Sequence, residues 1–186
     1  DQSVENYLKI AEMYYIEREE KEYLEKIKSL FPIKYKPNKI HEILMKLAPQ
    51  NFITTNYDPL IEISAKENLE NYSIVRKNRE LAYTTSEKLL IKMHGDFDCD
   101  NFVLKESDYL SYSSKFSLIE NKIKELLSTN IVLFVGYSVS DYDFKIIMQL
   151  VKDTLKNDFQ NAYLIEVGKK YNRREFDYYK NRGVNI

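Results

Sequence analysis

Apolar and charged positions alternate along the first part of the chain with the period of a helix. From Ser3 to Phe31 apolar residues recur every three or four positions, which predicts helical structure. The charge run Glu17–Glu22 divides this pattern and indicates either a solvent-exposed face or a break between two helices. A short amphipathic helix is predicted from Ile40 to Leu47, ending before Pro49. We therefore expect a helical segment over residues 1–48.

The pattern changes after residue 48, where short apolar runs begin to alternate with amphipathic stretches. The run IVLFV, Ile131–Val135, is apolar throughout and predicts a parallel strand covered on both faces. Strands alternating with helices are typical of an α/β domain with a mainly parallel sheet. The predicted strands are 52–55, 72–76, 89–93, 102–104, 131–135, 162–167 and the last residues from 184. The predicted helices are 59–67, two between 105 and 127 with the second at 117–127, 141–155 and 170–181.

Length, composition and charge narrow the class of protein. With 186 residues, 44% of them hydrophobic, the chain suits a single domain over 1–186 with an α/β core over 49–186. A net charge of −1 argues against a nucleic-acid partner, and no apolar run is long enough to suggest a membrane partner. The single Cys99 excludes an intrachain disulfide and a four-cysteine zinc site, so we expect a cytoplasmic protein.

The two ends of the sequence carry a further expectation. The first residue is Asp1 rather than methionine, and residues 184–186 have the pattern of a strand's beginning. We therefore expect the sequence to be a fragment of a longer protein.

Polar segments follow three of the predicted strands. These segments are TTNYD after residue 53, HGD after residue 93 and GYSVSD after residue 135. In an open parallel sheet, ligands bind beyond the carboxyl ends of the strands, where the loops converge. The sequence therefore predicts that all three polar segments lie along one rim of one sheet.

The first segment mixes a helix start with residues that a helix start does not need. Asp58 precedes Pro59, and an aspartate cap followed by proline at the first helical position is a common helix beginning. This favours a structural role for Asp58. Capping leaves Thr54, Thr55 and Asn56 unexplained, and a side-chain amide offers a ligand both a donor and an acceptor. We interpret Asn56 as a functional residue.

The second segment places His94 at the end of an apolar strand. A lone histidine is more often structural than catalytic, but Gly95 permits a close backbone approach and Asp96 adds a carboxylate. Histidine is also the natural general base at neutral pH. The other histidine, His41, has no second histidine at zinc-protease spacing and is given no role.

The third segment contains an acidic capping box. Ser140 and Asp143 have the spacing of such a box, which leaves Gly136 and Ser138 unexplained. A glycine after a buried strand and a hydroxyl near a helix start suit a phosphate or a ribose. A tight turn from strand to helix would equally require glycine.

Together, TTNYD, KMHGD and FVGYSVSDYDF resemble, in order and spacing, the sirtuin-like domain of bacterial anti-phage defence proteins. The resemblance extends from about Pro49 onward, and the leading helices resemble the family's helical insertion less specifically. It implies a Rossmann-like domain that binds NAD as its substrate and cleaves it to nicotinamide and ADP-ribose. It also implies a homo-oligomer and additional sensor or effector domains in the parent protein.

The resemblance implies a role for each candidate residue. Asn56 matches the asparagine that holds the nicotinamide ribose or the attacking water, and His94 matches the catalytic histidine. The remaining candidates match the wall of the nucleotide pocket: Thr54, Thr55, Asp58, Gly95, Gly136 and Ser138.

Two departures from the family pattern limit what the resemblance implies. Deacylating sirtuins carry a zinc ribbon with paired cysteines, whereas this sequence has only Cys99, so we expect no zinc. The family's first strand and its Gly-Ala-Gly phosphate loop have no counterpart before Ser3. A non-catalytic module that senses NAD or ADP-ribose or serves assembly is the alternative, and a scaffold whose polar strand ends only cap helices is the third.

Overall fold

The computed structural model describes residues 2–31, 35–136, 148–149, 151–153, 155, 162–168 and 172–186. The chain forms two compact units, the first Asp1–Glu120 and the second Asn121–Ile186. The helices are α1 (Gln2–Leu30), α2 (Lys39–Leu47), α3 (Leu60–Glu67), α4 (Glu106–Leu110), α5 (Tyr112–Lys115), α6 (Ser117–Thr129) and α7 (Arg173–Lys180), with a 3₁₀ helix at Asn78–Tyr83. The strands are β1 (Asn51–Thr54), β2 (Ser73–Val75), β3 (Leu89–Lys92), β4 (Leu133–Val135), β5 (Ala162–Ile165) and β6 (Val184–Asn185).

Parallel sheets with helices around them confirm the predicted α/β class and its Rossmann-like character. In the first unit the strand order is β1-β3-β2, and in the second it is β4-β5-β6. Every pairing within these two sheets is parallel. The prediction of one domain over 1–186 stays a prediction.

The central strand of the first sheet is buried along its whole length. All four residues of β3 are buried, including the lysine at its end. Asn51 of β1 and Ser73 of β2 both lie in register with Leu89, so β3 is covered by a strand on each side. This position explains why LLIK has no alternation of apolar and polar residues.

Helices α2 and α3 supply the apolar core on one side of this sheet. Met45, Phe52, Ala65, Tyr72 and Leu90 form one buried cluster. The phenol of Tyr72 donates to the Pro49 carbonyl oxygen at 2.6 Å, which anchors the entry to β1. Burial of the Met45, Phe52 and Leu90 side chains is worth roughly 1.5–3 kcal/mol each, so the cluster is a major source of stability for the unit.

The first helix is interrupted where the sequence predicted a possible break. Glu19 has φ 63° and ψ 170°, far from helical values, so α1 consists of two helical pieces joined by a kink. Beyond the kink, Tyr23 and Ile27 are buried in a cluster with Phe102. The charge run at residues 17–22 is also exposed to solvent, so both features indicated by the sequence are present.

The start of α2 explains the second histidine. The Asn38 side chain accepts from the Ile40 amide at 3.0 Å, and the His41 Nδ1 accepts from the Asn38 amide at 3.2 Å. His41 is therefore part of a reciprocal helix cap.

The predicted strand at residues 102–104 is wrong, since this described stretch has no strand structure. Its amides bond elsewhere: Val103 donates to the His94 carbonyl oxygen at 3.0 Å, and Leu104 donates to the Asp108 carboxylate at 3.3 Å. The Asp108 side chain therefore accepts the Leu104 amide that a neighbouring strand would otherwise accept. Three helices rather than the expected two follow, because α4 and α5 are separated at Ser111.

The second unit corrects the expectation for IVLFV. The strand is shorter than the apolar run, and Ile131 precedes it with 73% of its surface exposed. In β5, Ala162 and Leu164 are buried while Tyr163 and Ile165 are exposed, so within the described part of the chain only one face of this strand is covered. The predicted helix over 141–155 is helical at 148–149, 151–153 and 155, and its other residues, with the capping box of Ser140 and Asp143, lie outside the described residues.

Candidate functional site

The first two polar segments begin side by side in the first unit. Thr54, the last residue of β1, lies in register with Lys92, the last residue of β3. The Met93 amide also donates to the Thr54 carbonyl oxygen at 2.9 Å, which extends the pairing by one hydrogen bond. Since neighbouring strands lie about 4.8 Å apart, TTNYD and HGD leave the sheet from adjacent points.

The loop after β1 combines a helix start with an exposed amide. The predicted helix start is wrong by one residue: the helix begins at Leu60 with Pro59, not Asp58, at its N-cap position and no side chain capping it. The Asp58 carboxylate accepts from the Leu60 amide at 3.0 Å, which supports the turn that leads into the helix. The Thr54 hydroxyl oxygen accepts from the Asn56 amide at 3.1 Å. Thr55 is half-buried, and the side chain of Asn56 is exposed. The residue predicted to contact a ligand is thus presented to solvent by a hydrogen-bonded turn.

Tyr57 in the same loop holds its base against the core. Its ring lies edge-on to Phe102 at 5.1 Å between centroids and to Phe31 at 5.7 Å. Its hydroxyl donates to the Val103 carbonyl oxygen at 2.8 Å. An aromatic ring in the middle of a polar loop therefore fixes that loop to the segment that follows HGD.

His94 follows β3 and is buried, with 5% of its surface exposed. Its ring meets the ring of Tyr109 edge-on at 5.7 Å between centroids. The next residue, Gly95, has φ +78°, and a Cβ there would lie 2.2 Å from the Asn101 carbonyl oxygen. The close backbone approach expected at Gly95 is thus made by Asn101 of the same chain, and a contact of Gly95 with a nucleotide stays a prediction.

The aspartate of HGD is buried and organises its own loop. Asp96 forms an ion pair with Arg76 at the end of β2, and its other oxygen accepts from the amides of Asp98 and Cys99 at 3.1 and 3.0 Å. Burial lowers the pKa of Arg76, but the hydrogen bond and charge of Asp96 outweigh it, so the pKa is raised overall. Arg76 therefore stays a cation that joins β2 to the HGD loop.

Lys92 is the residue at this site that sequence reasoning missed. Its side chain is 1% exposed, and its ammonium lies 2.9 Å from a carboxylate oxygen of Glu62. It also donates to the carbonyl oxygens of Tyr57 at 3.1 Å and Asp58 at 2.7 Å. A cation inside the apolar run LLIKM was the available signal, because a lysine is almost never fully buried unless it is paired.

A cavity of about 210 Å³ in the first unit has Asn101 and Phe102 in its lining, which contact Gly95 and Tyr57 respectively. Tyr15, Tyr23, Phe102 and Lys105 are among its lining residues, and none of the described residues that line it is a candidate residue. The candidate site is therefore defined by the strand ends and not by this cavity.

The third polar segment belongs to the second unit and follows a strand of the other sheet. The prediction that all three segments lie along one rim of one sheet is therefore wrong for this segment. Gly136 follows β4 with φ +64°, as a turn after a strand requires. Ser138 lies outside the described residues. The structure thus brings together the segments that carry Asn56 and His94, and it describes Gly136 by itself.

Neither a metal site nor a membrane-spanning helix is found in the described part of the chain. Within the residues that the structure describes, no three His, Cys, Asp or Glu side chains are grouped as a metal site would require. Nor does any helix in that part combine the length and apolar character needed to cross a bilayer.

The arrangement has a definite chemical capacity. An exposed side-chain amide can orient a hydroxyl or a water through its donor and acceptor. An imidazole can accept a proton from such a group. Asn56 and His94 each lie two residues beyond the same pair of aligned strand ends, so the segments that carry these two chemical groups leave the sheet side by side.

Comparison with known proteins identifies the family. A family model described as the SIR2-like domain matches residues 50–186. Defense-associated sirtuin 2 of Bacillus subtilis is 31% identical over 99% of this chain and 19% of its own length. Proteins named NAD(+) hydrolase ThsA are 32% identical in Enterococcus faecium, over 67% of this chain and 27% of theirs, and 29% identical in Cytobacillus dafuensis, over 76% and 29%. The chain thus spans less than a third of the length of these curated relatives, and it belongs to the SIR2-like domain family.

Proposed function

We propose that this chain is the NAD-hydrolysing domain of an anti-phage defence protein. The observation that carries the proposal is the alignment of Thr54 with Lys92, from which Asn56 and His94 follow at equal distance along the chain. Relatives named NAD(+) hydrolase and defence-associated sirtuin support the same activity. The proposed reaction is NAD⁺ + H₂O → nicotinamide + ADP-ribose + H⁺.

The reaction breaks the N-glycosidic bond between nicotinamide and ribose. The bonding electrons leave with nicotinamide, which departs neutral, and positive charge develops at the ribose carbon. A water oxygen then forms the new bond to that carbon and releases one proton. A site for this reaction must orient the ribose, admit one water and accept the proton.

His94 is the proposed general base. It takes the proton either from the attacking water or from a ribose hydroxyl, and such assistance is typically worth about 10²–10⁴-fold in rate. Its burial against Tyr109 limits the positions that the ring can take. Asn56 is the proposed orienting residue, and it acts by holding the ribose or the water in line for attack.

The remaining candidates are proposed as the nucleotide pocket. Thr54, Thr55 and Asp58 line its floor beside Asn56, and the backbone of Gly95 adjoins them. Gly136 and Ser138 are proposed to form the turn that meets the phosphates and a ribose. The hydrogen-bonded turn at Thr54 supports the proposed floor of the pocket. The positive φ of Gly136 supports the proposed turn at the phosphates.

The surroundings of the activity are proposed with it. We propose that the domain works without zinc, in the cytoplasm, as part of a larger protein that carries sensor or effector domains. We also propose assembly into a homo-oligomer. We further propose that the domain binds neither nucleic acid nor a membrane, in keeping with its net charge of −1.

The direct test is NAD turnover by the full-length protein that carries this chain. Nicotinamide release is followed by chromatography for the wild type and for His94→Ala, Asn56→Ala and His41→Ala variants. We expect the first two variants to lose at least about 100-fold in rate and His41→Ala to retain wild-type activity. Full activity of His94→Ala would refute the assignment of the base.

The burial of His94 favours one alternative, a domain that binds NAD or ADP-ribose without turning it over. Isothermal titration calorimetry separates the two functions. Tight binding of NAD with no nicotinamide released, under conditions that trigger the defence response, would favour sensing. Release of nicotinamide in proportion to enzyme concentration would exclude it.

A further inference from the structure

Lys92 is a buried cation that contacts the loop carrying one proposed catalytic residue and precedes the other. We propose that Lys92 is a positioning residue, which holds the Asn56 loop in place beside His94. The inference rests on the proposed function, because it assigns a role within the same site. It concerns how the two reacting groups are kept in register and not their chemistry.

The contacts of the ammonium group are complete. A lysine ammonium has three donors, and the three acceptors here are the Glu62 carboxylate and the carbonyl oxygens of Tyr57 and Asp58. Those two carbonyls belong to the residues that directly follow Asn56. The Lys92 side chain, from the neighbouring strand β3, therefore holds the backbone of the loop that presents the Asn56 side-chain amide.

Lys92 is also close to the proposed base, His94, along the chain. His94 lies two residues after Lys92, and the Lys92 carbonyl oxygen accepts from the Gly95 amide at 3.1 Å. The Lys92 ammonium also lies 3.9 Å from the carboxylate of Asp96. One residue thus contacts both loops, so displacement of its side chain would change the spacing of Asn56 and His94 together.

A purely packing role would not require a charge at this position. Placing an ammonium and a carboxylate in a protein interior carries a large desolvation cost, and an apolar pair of similar volume is often equally stable or more so. The charge does, however, satisfy two loop carbonyl oxygens that an apolar side chain would leave without this donor. The geometry therefore points to a role in fixing the loop.

The opposite end of the same strand provides a matched control. Lys88, directly before β3, forms an ion pair with Glu70 at 2.6 Å, with both side chains partly exposed. Like the Lys92–Glu62 pair, the Lys88–Glu70 pair joins a lysine to a glutamate beside this sheet, but it lies at the amino ends of the strands. Loss of this pair should therefore leave both catalytic loops unaffected.

The experiment uses the full-length protein with three variants, Lys92→Met, the double variant Lys92→Met/Glu62→Gln, and Lys88→Met. The double variant removes both charges, so it is expected to fold even if the single change leaves Glu62 unpaired and unfolds the domain. For each folded variant, kcat and KM for NAD are measured, and hydrogen exchange of the peptide covering 54–60 is followed by mass spectrometry.

We expect the Lys92 variants to lose about 10–100-fold in kcat with a smaller change in KM, because misplacement by about 1 Å can cost 100-fold. Amide exchange in 54–60 should become faster in the same variants and stay unchanged in Lys88→Met. A folded Lys92 variant with wild-type kcat would overturn the positioning role. If His94→Ala is inactive in the same experiment, the proposed function stands although the role of Lys92 does not. If the wild type itself releases no nicotinamide, the proposed function fails, and unchanged exchange in 54–60 alone overturns the role of Lys92.

Discussion

Gly95 and Asn101 approach each other so closely that no side chain fits between them. A Cβ built on Gly95 would lie 2.2 Å from the Asn101 carbonyl oxygen and 2.6 Å from its side-chain oxygen. Gly95 also has φ +78°, in the region that side chains rarely adopt. Two independent constraints therefore require glycine directly after His94.

We expect Gly95→Ala to lower the free energy of unfolding by more than about 2 kcal/mol, because backbone strain and a backbone clash add together. Urea unfolding followed by circular dichroism measures the loss. Gly168→Ala is the matched control: Gly168 has φ +80°, and no atom of the described residues lies within 4 Å of the point that an added methyl group would occupy. Equal losses for the two variants would show that the Asn101 contact is unimportant.

The hydroxyl of Tyr23 is buried and, among the described residues, has no hydrogen-bond partner. Removing it should therefore relieve an uncompensated desolvation cost. We expect Tyr23→Phe to raise the free energy of unfolding by about 1 kcal/mol at neutral pH. Tyr72→Phe should have the opposite effect, since the Tyr72 hydroxyl donates to the Pro49 carbonyl oxygen. Chemical denaturation of both variants tests the pair, and a destabilised Tyr23→Phe would contradict the expectation.

Burial, with a smaller contribution from the Asp108 charge, raises the pKa of Tyr23 above its ordinary value of 10.0. Above pH 10 the unfolded chain releases this phenol proton while the folded chain retains it. Because the folded state then binds more protons, the free energy of unfolding should fall as the pH rises past 10. The free energy of unfolding should decline less steeply for Tyr23→Phe than for the wild type between about pH 9 and pH 11, the range that brackets the ordinary tyrosine pKa. Parallel slopes for the two proteins would argue against this pKa shift.

Glu19 adopts φ 63° and ψ 170°, a conformation that is essentially restricted to glycine. We expect Glu19→Gly to stabilise the protein by about 1–3 kcal/mol, although glycine within a helix normally destabilises. Glu19→Ala removes the same carboxylate and retains the strain, so it should bring no such gain. Thermal unfolding compares the variants. A loss of about 1 kcal/mol in Glu19→Gly would indicate a continuous helix instead of a kink.

Cys99 reports on the loop formed by Asp96, because it is the single cysteine of the chain. Burial, followed by the charge of Asp96, raises the pKa of the Cys99 thiol above 9.0. The thiolate is the reactive form, so alkylation of the folded protein by iodoacetamide should require a higher pH than alkylation in denaturant. Mass spectrometry across a pH series gives both midpoints. A lower midpoint in the folded protein would contradict the described environment.

The first sheet was predictable because its strands are apolar runs bounded by polar residues. The predicted strands agree with β1, β2 and β3 to within one residue at each end. The strand predicted at 102–104 is wrong for a physical reason: the Leu104 amide donates to the Asp108 carboxylate instead of pairing with a neighbouring strand. Periodicity reports side-chain burial, and it does not show where backbone amides bond.

The site was predictable only in part, for a related reason. Asn56 and His94 were selected because they follow strands, and the observed register brings their loops out at adjacent points. Glu62 escaped notice because its pattern is that of an ordinary surface charge, and Lys92, whose position inside an apolar run was a signal of burial, lies 30 positions away from it. Their pairing depends on how α3 packs against β3, which no local pattern encodes.

The order of strands in the first sheet has a consequence for synthesis of the protein. β1 and β2 both pair with β3, and the register partners Asn51 and Leu89 are 38 residues apart. As the nascent chain leaves the ribosome, both flanking strands emerge before the strand that joins them. Closure of the sheet must wait for residues 89–92, so apolar edges stay open to chaperones until then. A translational pause after Val75 has emerged and before Leu89 emerges would lengthen that period and raise the risk of aggregation.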